Sequence, residues 1–303
     1  MTIIVPNLLS NITSEFPDQE IEIWDYSPES LNASTADRCT FYVPTYMSGK
    51  RPIEVSKKMP NLEVIQLLTA GVDGVSALID ENVTLCNAKG VHDASTAELT
   101  VALALNARRG LDKFHRNQLS QLWSSISYSS LADSKVLIVG YGSIGHAVEQ
   151  RLLPFEVEIT KVTRTKHENT YPMEDLPNLL GDADIVILLV PLTTETRAFF
   201  DYKMFRAMKD GAILINVARG QVVNTDDLVE ALKSRNIFAA LDVVDPEPLP
   251  ADHVLWRLDN CIITPHVGGN STAFLRRAHQ LVVSNLNRYL RGDALLNVIS
   301  GEY

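Results

Sequence analysis

Cysteine, long apolar runs and positive charge are all scarce in this sequence. The 303-residue chain contains three cysteines, Cys39, Cys86 and Cys261, without CxxC spacing, which predicts neither a disulfide framework nor a bound metal. Its longest strongly apolar run covers residues 185–190, whereas a membrane-spanning helix needs about 20 apolar residues. The net charge of −10 argues against nucleic acid or an anionic membrane as a partner. Because no basic segment leads into a signal-like apolar stretch, we expect a cytoplasmic protein.

The apolar residues that are present form short runs, and these predict α/β structure with parallel sheets. In the first part of the chain, strands are predicted at residues 2–5, 21–24, 39–43, 64–68 and 83–86. In the second part, they are predicted at residues 136–139, 157–162, 185–190, 212–217, 238–243 and 261–263. The later runs do not alternate with polar residues, which is typical of strands covered by helices on both faces.

Two long helical patterns separate these parts. One covers residues 94–118, with Asp93 as a candidate cap, and the other covers residues 271–290 and stops before Gly292. If both helices cross between domains, the first domain is discontinuous. We therefore predict one domain of residues 1–93 and 271–303, and a second domain of residues 94–270.

A glycine motif lies where the first strand of the second domain ends. Gly140, Gly142 and Gly145 follow the predicted strand 136–139 in GxGxxG spacing, and Ser143 and Ile144 open a helical segment. Such glycines allow a tight turn, close approach of a pyrophosphate and close helix packing, while the helix start offers N–H groups to phosphates. The motif predicts a dinucleotide site, with a plain turn as the alternative.

The residues after the next strand indicate which dinucleotide is used. NAD sites usually place a carboxylate there, but this strand is followed by Arg164, Thr165 and Lys166. Their side chains suit a ribose 2′-phosphate, because charge-assisted hydrogen bonds favour that group. We predict a preference for NADP(H), with NAD(H) also possible; solvated surface cations are the alternative.

Further segments resemble the D-isomer-specific 2-hydroxyacid dehydrogenase family, and within it the glyoxylate/hydroxypyruvate reductases and 2-ketoacid reductases. The resemblance covers nearly the whole chain and rests on residues 68–73, 190–196, 208–220, 241–250 and 264–269. It implies two doubly wound parallel-sheet α/β domains, a Rossmann cofactor domain at residues 94–270 and a flavodoxin-like substrate domain formed by the rest. It also implies that Pro191 and Thr196 contact the cofactor. Asp242 resembles the residue that binds the nicotinamide carboxamide, unless it caps a local turn.

Arg219, Glu247 and His266 match the catalytic residues of that family. Reduction of a 2-keto acid needs a proton for the carbonyl oxygen and a cation that aligns the carbonyl and the carboxylate. His266 follows the end of a predicted strand and is the expected proton donor. Glu247 lies between two prolines and is expected to pair with the imidazole, while the planar Arg219 is expected to bind the substrate. Taken singly, each residue has a purely structural alternative.

The substrate pocket and the dimer are also expectations from the resemblance. The backbone N–H groups of Ala70 and Gly71 should bind the substrate carboxylate, unless their loop is a simple turn. Tyr46 and Met47 are candidates for lining the pocket, although such residues also serve packing. Family members are usually dimers, and residues 120–134 with Trp123 lie where that interface forms; packing within its own domain is equally compatible with Trp123.

The predicted function is reduction of a small 2-keto acid to the D-2-hydroxy acid by hydride transfer from NADPH, with His266 as proton donor. One alternative is a dinucleotide-sensing binding protein like the corepressors that share this fold. A second is an NAD-dependent enzyme that oxidises D-2-hydroxy acids. The absence of low-complexity tails and basic segments favours an enzyme.

Overall fold

The computed structural model describes residues 1–24, 31–47, 49, 51–75 and 78–299. The chain divides into two compact units, Met1–His92 with Thr272–Tyr303 as unit 1 and Asp93–Ser271 as unit 2. Among the described residues, no helix is both long and apolar enough to cross a bilayer.

Strands and helices alternate along the chain, as the apolar runs predict. In chain order the strands are β1 Thr2–Val5, β2 Ile21–Ile23, β3 Cys39–Tyr42, β4 Val64–Gln66, β5 Thr84–Cys86, β6 Lys135–Val139, β7 Glu158–Thr163, β8 Tyr171–Pro172, β9 Ile185–Leu188, β10 Ile213–Asn216, β11 Phe238–Leu241 and β12 Cys261–Ile263. The α-helices are α1 Ile12–Glu15, α2 Ala33–Arg38, α3 Arg51–Glu54, α4 Asp93–Arg109, α5 Leu111–Leu119, α6 Ser143–Leu152, α7 Leu176–Leu179, α8 Tyr202–Ala207, α9 Thr225–Ser234 and α10 Ala273–Arg291.

Unit 1 contains a parallel sheet in the order β2-β1-β3-β4-β5. Strands β1, β3, β4 and β5 are largely buried, whereas the edge strand β2 is partly exposed. Ile3 and Phe41 pack on the side of α10, where Val282 and Leu286 are fully buried. Ile4 lies in the core on the opposite side. This strand order is that of flavodoxin-like doubly wound folds, so the fold predicted for this unit is confirmed.

Unit 2 contains a parallel sheet in the order β12-β11-β10-β9-β6-β7-β8. From β6 the chain adds β7 and β8 toward one edge of the sheet, and then returns to add β9 to β12 on the other side of β6. This reversal of strand order is that of the Rossmann fold, so the predicted fold class is confirmed. Successive residues of β6 belong to different cores, since Leu137 packs with Val186 and Leu214, and Ile138 packs with Ile187 on the other face.

The single helix predicted over residues 94–118 is wrong, because the chain forms α4 and α5 with a break at Gly110. Gly110 adopts a left-handed conformation with φ of +61°. The ring of Tyr128 occupies the space that a Cβ at this position would need. A glycine here therefore permits both the backbone turn and the close approach of a distant aromatic ring.

Candidate active site

The carboxyl ends of the strands in unit 2 carry all the predicted catalytic and cofactor residues. The glycine motif follows β6, Arg164 follows β7, and Pro191 lies beyond β9. The catalytic candidates lie in the segments after the next three strands: Arg219 after β10, Glu247 after β11 and His266 after β12. Because the strands are parallel, these ends share one edge of the sheet, the edge at which open α/β sheets bind ligands.

His266 and Glu247 form a direct pair. The Nδ1 atom of His266 lies 2.5 Å from Oε1 of Glu247, and both side chains remain partly exposed. His266 has a left-handed backbone with φ of +53°, and its N–H donates to the carbonyl oxygen of Asp242 at 2.7 Å. The carboxylate orients the imidazole through one ring nitrogen and leaves Nε2 as the ring's second proton-carrying position.

Asp242 organises the turn that carries His266. Its carboxylate is buried and accepts three hydrogen bonds, from Thr264 Oγ1 at 2.6 Å, from the N–H of Val267 at 2.9 Å and from the N–H of Gly268 at 2.8 Å. Such charge-assisted bonds to a buried carboxylate are strong. These bonds hold the turn, and a contact of Asp242 with the nicotinamide carboxamide stays a prediction.

Arg219 is presented by a tightly built loop. Asn216, at the end of β10, donates its side-chain N–H to the carbonyl oxygen of Arg219 at 2.9 Å and accepts from the N–H of Ala218 at 3.1 Å. A Cβ on Gly220 would overlap the carbonyl group of Val244, so the loops after β10 and β11 can pack closely only with glycine there. Asn216 is fully buried, and sequence reasoning did not single it out.

The glycine motif has the geometry of a phosphate cradle. Gly140 has φ of +96°, and a Cβ there would lie 2.7 Å from the backbone nitrogen of Val190. Beside the start of α6, a Cβ on Gly142 would meet nothing within 4 Å, so the glycine leaves an open space against the backbone. Gly145 packs α6 against the preceding turn. The open space and the N–H groups at Ser143 and Ile144 fit a dinucleotide pyrophosphate.

A polar cluster supports this turn from the side of β7. The hydroxyl of Tyr141 donates to Glu149 Oε2, and the ammonium of Lys161 donates to Glu149 Oε1 at 3.0 Å. Burial favours the protonated form of Glu149, but these two bonds outweigh it and lower the pKa of the carboxyl. Burial and the neighbouring carboxylate raise the pKa of Tyr141 to about 12. The cluster was not predicted, because its members belong to a loop, a helix and a strand.

The candidate 2′-phosphate residues follow β7 in a braced turn. The hydroxyl of Thr163 donates to the carbonyl oxygen of Thr165 at 2.7 Å. Glu195, on the loop beyond β9, has a lowered pKa, owing first to a hydrogen bond with Thr193 and further to the positive charge of Arg164.

Thr196 closes the loop that contains Pro191. Its hydroxyl donates to the carbonyl oxygen of Pro191 at 2.6 Å and accepts from the N–H of Thr193 at 2.7 Å. These bonds hold the backbone of this loop beside the glycine motif, whose Gly140 approaches Val190 closely.

The predicted substrate residues lie in unit 1, at the carboxyl edge of its own sheet. Ala70 and Gly71 lie in the loop after β4, and the hydroxyl of Thr69 donates to the carbonyl oxygen of Gly71 at 2.9 Å. Tyr46 stacks on Phe274 with a centroid distance of 4.2 Å, and His92 stacks beside both rings, at centroid distances of 5.7 Å from Tyr46 and 5.2 Å from Phe274. Burial raises the pKa of Tyr46.

Met47 is exposed and has φ of +57°. His92 and Phe274 were not predicted as neighbours of Tyr46, because they come from distant parts of the chain. His92 also approaches the carbonyl oxygen of Leu68 to 2.9 Å, which places the stack beside the end of β4.

The end of α5 and the segment 120–134 carry exposed apolar side chains. Trp123 is 97% exposed, and Leu119, Leu122 and Ile126 are also exposed. Tyr128 packs edge-on against Phe114, at a centroid distance of 5.4 Å, so part of the segment is tied to its own unit. Within the described ranges, no group of three His, Cys, Asp or Glu side chains is arranged to hold a metal ion.

Comparison with known proteins decides the family. The family model described as D-isomer specific 2-hydroxyacid dehydrogenase, NAD binding domain, matches residues 101–268. The chain belongs to the D-isomer-specific 2-hydroxyacid dehydrogenase family. It is therefore an NAD(P)-dependent oxidoreductase, and the glycine motif, Arg219, Glu247 and His266 all fall within the matched part.

Similar proteins in the family have been named and solved. This dehydrogenase is 34% identical to the human glyoxylate reductase/hydroxypyruvate reductase, over 92% of this chain and 90% of that protein. It is 35% identical to the glyoxylate reductase of Thermofilum pendens, over 92% of this chain and 87% of that protein. A D-isomer specific 2-hydroxyacid dehydrogenase from Xanthobacter autotrophicus, solved with NADPH and MES, matches with a TM-score of 0.85 and 26% identity, over 99% and 97% of the two chains.

Proposed function

We propose that this dehydrogenase reduces a small 2-keto acid, of the glyoxylate or hydroxypyruvate type, to the D-2-hydroxy acid with NADPH. The observation that carries the proposal is the 2.5 Å pair of His266 and Glu247, at the same sheet edge as Arg219 and the glycine motif. The similarity to proteins named glyoxylate reductase supports the choice of substrate class.

In this proposal, His266 supplies the proton and Glu247 orients it. Nδ1 faces the carboxylate of Glu247, so Nε2 is the atom that donates to the carbonyl oxygen of the substrate. The Asp242 carboxylate holds the residues on either side of the imidazole, because it accepts from the hydroxyl of Thr264 and from the N–H of Val267. A fixed donor shortens the search for a reactive geometry, which is a main source of rate acceleration.

Arg219 is proposed to bind the substrate and polarise its carbonyl. A guanidinium presents a planar set of N–H donors that can contact a carboxylate and a neighbouring carbonyl oxygen together. The hydrogen bonds of Asn216 hold the backbone from which this side chain extends. The N–H groups of Ala70 and Gly71 are proposed to bind the substrate carboxylate.

The glycine motif and its surroundings are proposed to hold the cofactor. Ser143 and Ile144 would bind the pyrophosphate by their N–H groups, and Arg164, Thr165 and Lys166 would bind the 2′-phosphate. When bound, NADPH supplies the hydride for the carbonyl carbon. The Xanthobacter protein with NADPH supports this choice, and two cationic side chains after β7 favour the phosphorylated cofactor.

The homodimer and the cytoplasmic location stay predictions. The exposed Trp123, Leu119, Leu122 and Ile126 support the dimer, because burial of exposed apolar side chains against a partner is favourable.

The decisive experiment follows NADPH and NADH absorbance with glyoxylate, hydroxypyruvate, pyruvate and phenylpyruvate. We expect a higher kcat/KM for glyoxylate or hydroxypyruvate than for phenylpyruvate, and higher values with NADPH than with NADH. Chiral analysis of the product should yield the D alcohol for hydroxypyruvate. A chain that reduces none of the four acids with either cofactor would overturn the proposal.

A further inference from the structure

A hydrogen-bonded series of three buried amide side chains extends to the loop 69–73 of unit 1. Gln66, Asn87 and Asn285 are 0%, 2% and 0% exposed. Gln66 is the last residue of β4, Asn87 follows the last residue of β5, and Asn285 lies in α10. Buried polar side chains are costly unless they form hydrogen bonds, so their partners identify what they hold in place.

At one end of this series, Asn285 anchors the segment that follows α10. Asn285 accepts from the N–H of Leu296 at 2.8 Å and donates to the carbonyl oxygen of Leu296 at 3.1 Å. It also donates to Oε1 of Gln66 at 2.5 Å. Gln66 in turn donates to the backbone carbonyl oxygen of Asn87 at 3.1 Å. The backbone of Asn87 is thereby held by residues from β4 and α10.

At the other end of this series, Asn87 holds the loop that contains Ala70 and Gly71. The side-chain amide of Asn87 donates to the carbonyl oxygen of Ala70 at 2.7 Å, and its Oδ1 accepts from the N–H of Lys89 at 3.1 Å. The N–H of Asn87 donates to the carbonyl oxygen of Asn297 at 3.0 Å. Asn87 is thus fixed on both its backbone and its side chain.

The hydrogen bond from Asn87 to the carbonyl oxygen of Ala70 also fixes the direction of the Gly71 N–H group. The carbonyl oxygen of Ala70 and the N–H of Gly71 belong to one planar trans peptide and point in opposite directions. Binding of the oxygen by Asn87 therefore turns the Gly71 N–H away from Asn87. If the plane were reversed, the carbonyl oxygen would take the place of the N–H and repel an anion there. The bond from Thr69 to the carbonyl oxygen of Gly71 restrains the next peptide as well.

We propose that Asn87 is a positioning residue for the reaction, which orients the Ala70–Gly71 peptide so that the Gly71 N–H binds the substrate carboxylate. This inference rests on the proposed function, because it takes a 2-keto acid as the ligand of that loop. A group held in its binding orientation before the ligand arrives loses little entropy on binding. Loss of Asn87 should therefore weaken the binding of the acid and leave hydride transfer and cofactor binding nearly intact.

The test compares two variants of Asn87 with matched variants of Asn61. Asn61 also donates a side-chain N–H to a backbone carbonyl oxygen of unit 1, that of Asp37, at 2.7 Å. Asn61 precedes β4, so it lies at the opposite end of the strand from the 69–73 loop. Asn87→Ala removes the donor, and the isosteric Asn87→Asp keeps the volume and the acceptor for Lys89 but sets an oxygen against the carbonyl of Ala70.

We expect Asn87→Ala to raise the KM for the best 2-keto acid and the inhibition constant of oxamate about tenfold each. The value of kcat should change less than about threefold, the NADPH dissociation constant should be unchanged, and Asn87→Asp should raise the KM at least as much. Asn61→Ala and Asn61→Asp should match the wild type.

Three results would overturn the inference. One is a KM within about twofold of the wild-type value in an Asn87 variant that thermal melting shows to be folded. Another is an equal loss of keto-acid binding, kcat and NADPH affinity, which would show general damage to the protein. The third is an equal rise of KM in the Asn61 variants. A wild-type chain that reduces no 2-keto acid would overturn the proposed function and this inference with it, whereas an active wild type isolates the role of Asn87.

Discussion

His266 and Glu247 are 19 residues apart in the chain, yet Nδ1 of the imidazole lies 2.5 Å from Oε1 of the carboxylate. The two strands that bring them together are neighbours, since β11 pairs with β12 in parallel register. The pair therefore depends on the sheet, and its function can be tested at each partner separately.

His266→Asn should lower kcat about 100- to 10,000-fold, because general acid catalysis contributes that much and an amide does not replace it. Asparagine is the appropriate substitution, since it tolerates the left-handed backbone of this position better than alanine does. NADPH binding, measured by fluorescence, should persist. The control is His115→Asn on the exposed face of α5. Full activity in the His266 variant would remove it from the mechanism.

Arg219→Lys should raise the KM for the 2-keto acid about 10- to 100-fold. Lysine keeps the charge but loses the planar fork, and charge-assisted hydrogen bonds contribute about 1.5–3 kcal/mol. Steady-state kinetics at saturating cofactor measures the change. Arg38→Lys, in an exposed ion pair with Glu20, should leave the KM unchanged. An unaltered KM in Arg219→Lys would mean that a point charge is sufficient there.

Arg164→Ala should reduce the ratio of kcat/KM with NADPH to that with NADH by about tenfold, since one charge-assisted contact to the 2′-phosphate is lost. Lys166→Ala should act in the same direction. The matched control is Arg206→Ala in α8, which is also exposed. If the wild type already prefers NADH, the 2′-phosphate site is wrong.

Asp242→Asn should lower the free energy of unfolding by about 2–3 kcal/mol, as read from urea denaturation. The amide would turn an N–H toward donors that now bind the carboxylate, among them the N–H groups of Val267 and Gly268. Asp259→Asn, at a side chain 87% exposed, should change stability very little. Equal stability of the two variants would contradict the turn-holding role of Asp242.

The cluster of Tyr141, Glu149 and Lys161 predicts how stability depends on pH. The folded-state pKa of Glu149 is lowered, so its contribution is present above the ordinary glutamate pKa of about 4.3 and is lost as pH falls through the folded value. The pKa of Tyr141 is raised to about 12, so its contribution is present below its ordinary pKa of about 10 and is lost as pH rises through about 12.

Urea denaturation of wild type and Glu149→Gln should therefore give a stability difference at pH 7 that shrinks below about pH 4. Glu168→Gln, on an exposed turn, should show no such pH dependence. A difference between wild type and Glu149→Gln that is constant from pH 3 to pH 7 would refute the assignment.

Local patterns predict most of the fold. Every predicted strand overlaps an observed one, because a run of apolar residues suits a strand buried on both faces. The observed β9 nevertheless ends at Leu188, before the predicted limit, because the chain turns there into the loop beside Gly140. β8 is not predicted, since Tyr171 and Pro172 form no apolar run. The break at Gly110 also escapes prediction, because it depends on a contact with Tyr128.

The sequence by itself determined the two α/β series and the glycine motif, because residue types and short spacings are translated into local structure by backbone sterics and hydrogen bonding. The arginine, glutamate and histidine proposed for catalysis were identified in the sequence by their resemblance to the family's residues. Only the tertiary structure decided that Asp242 holds the His266 turn, that Glu149 joins Tyr141 to Lys161, and that Asn87 binds the carbonyl of Ala70. These hydrogen bonds link separate elements of the chain, and their geometry exists only once the sheets have formed and the side chains have packed.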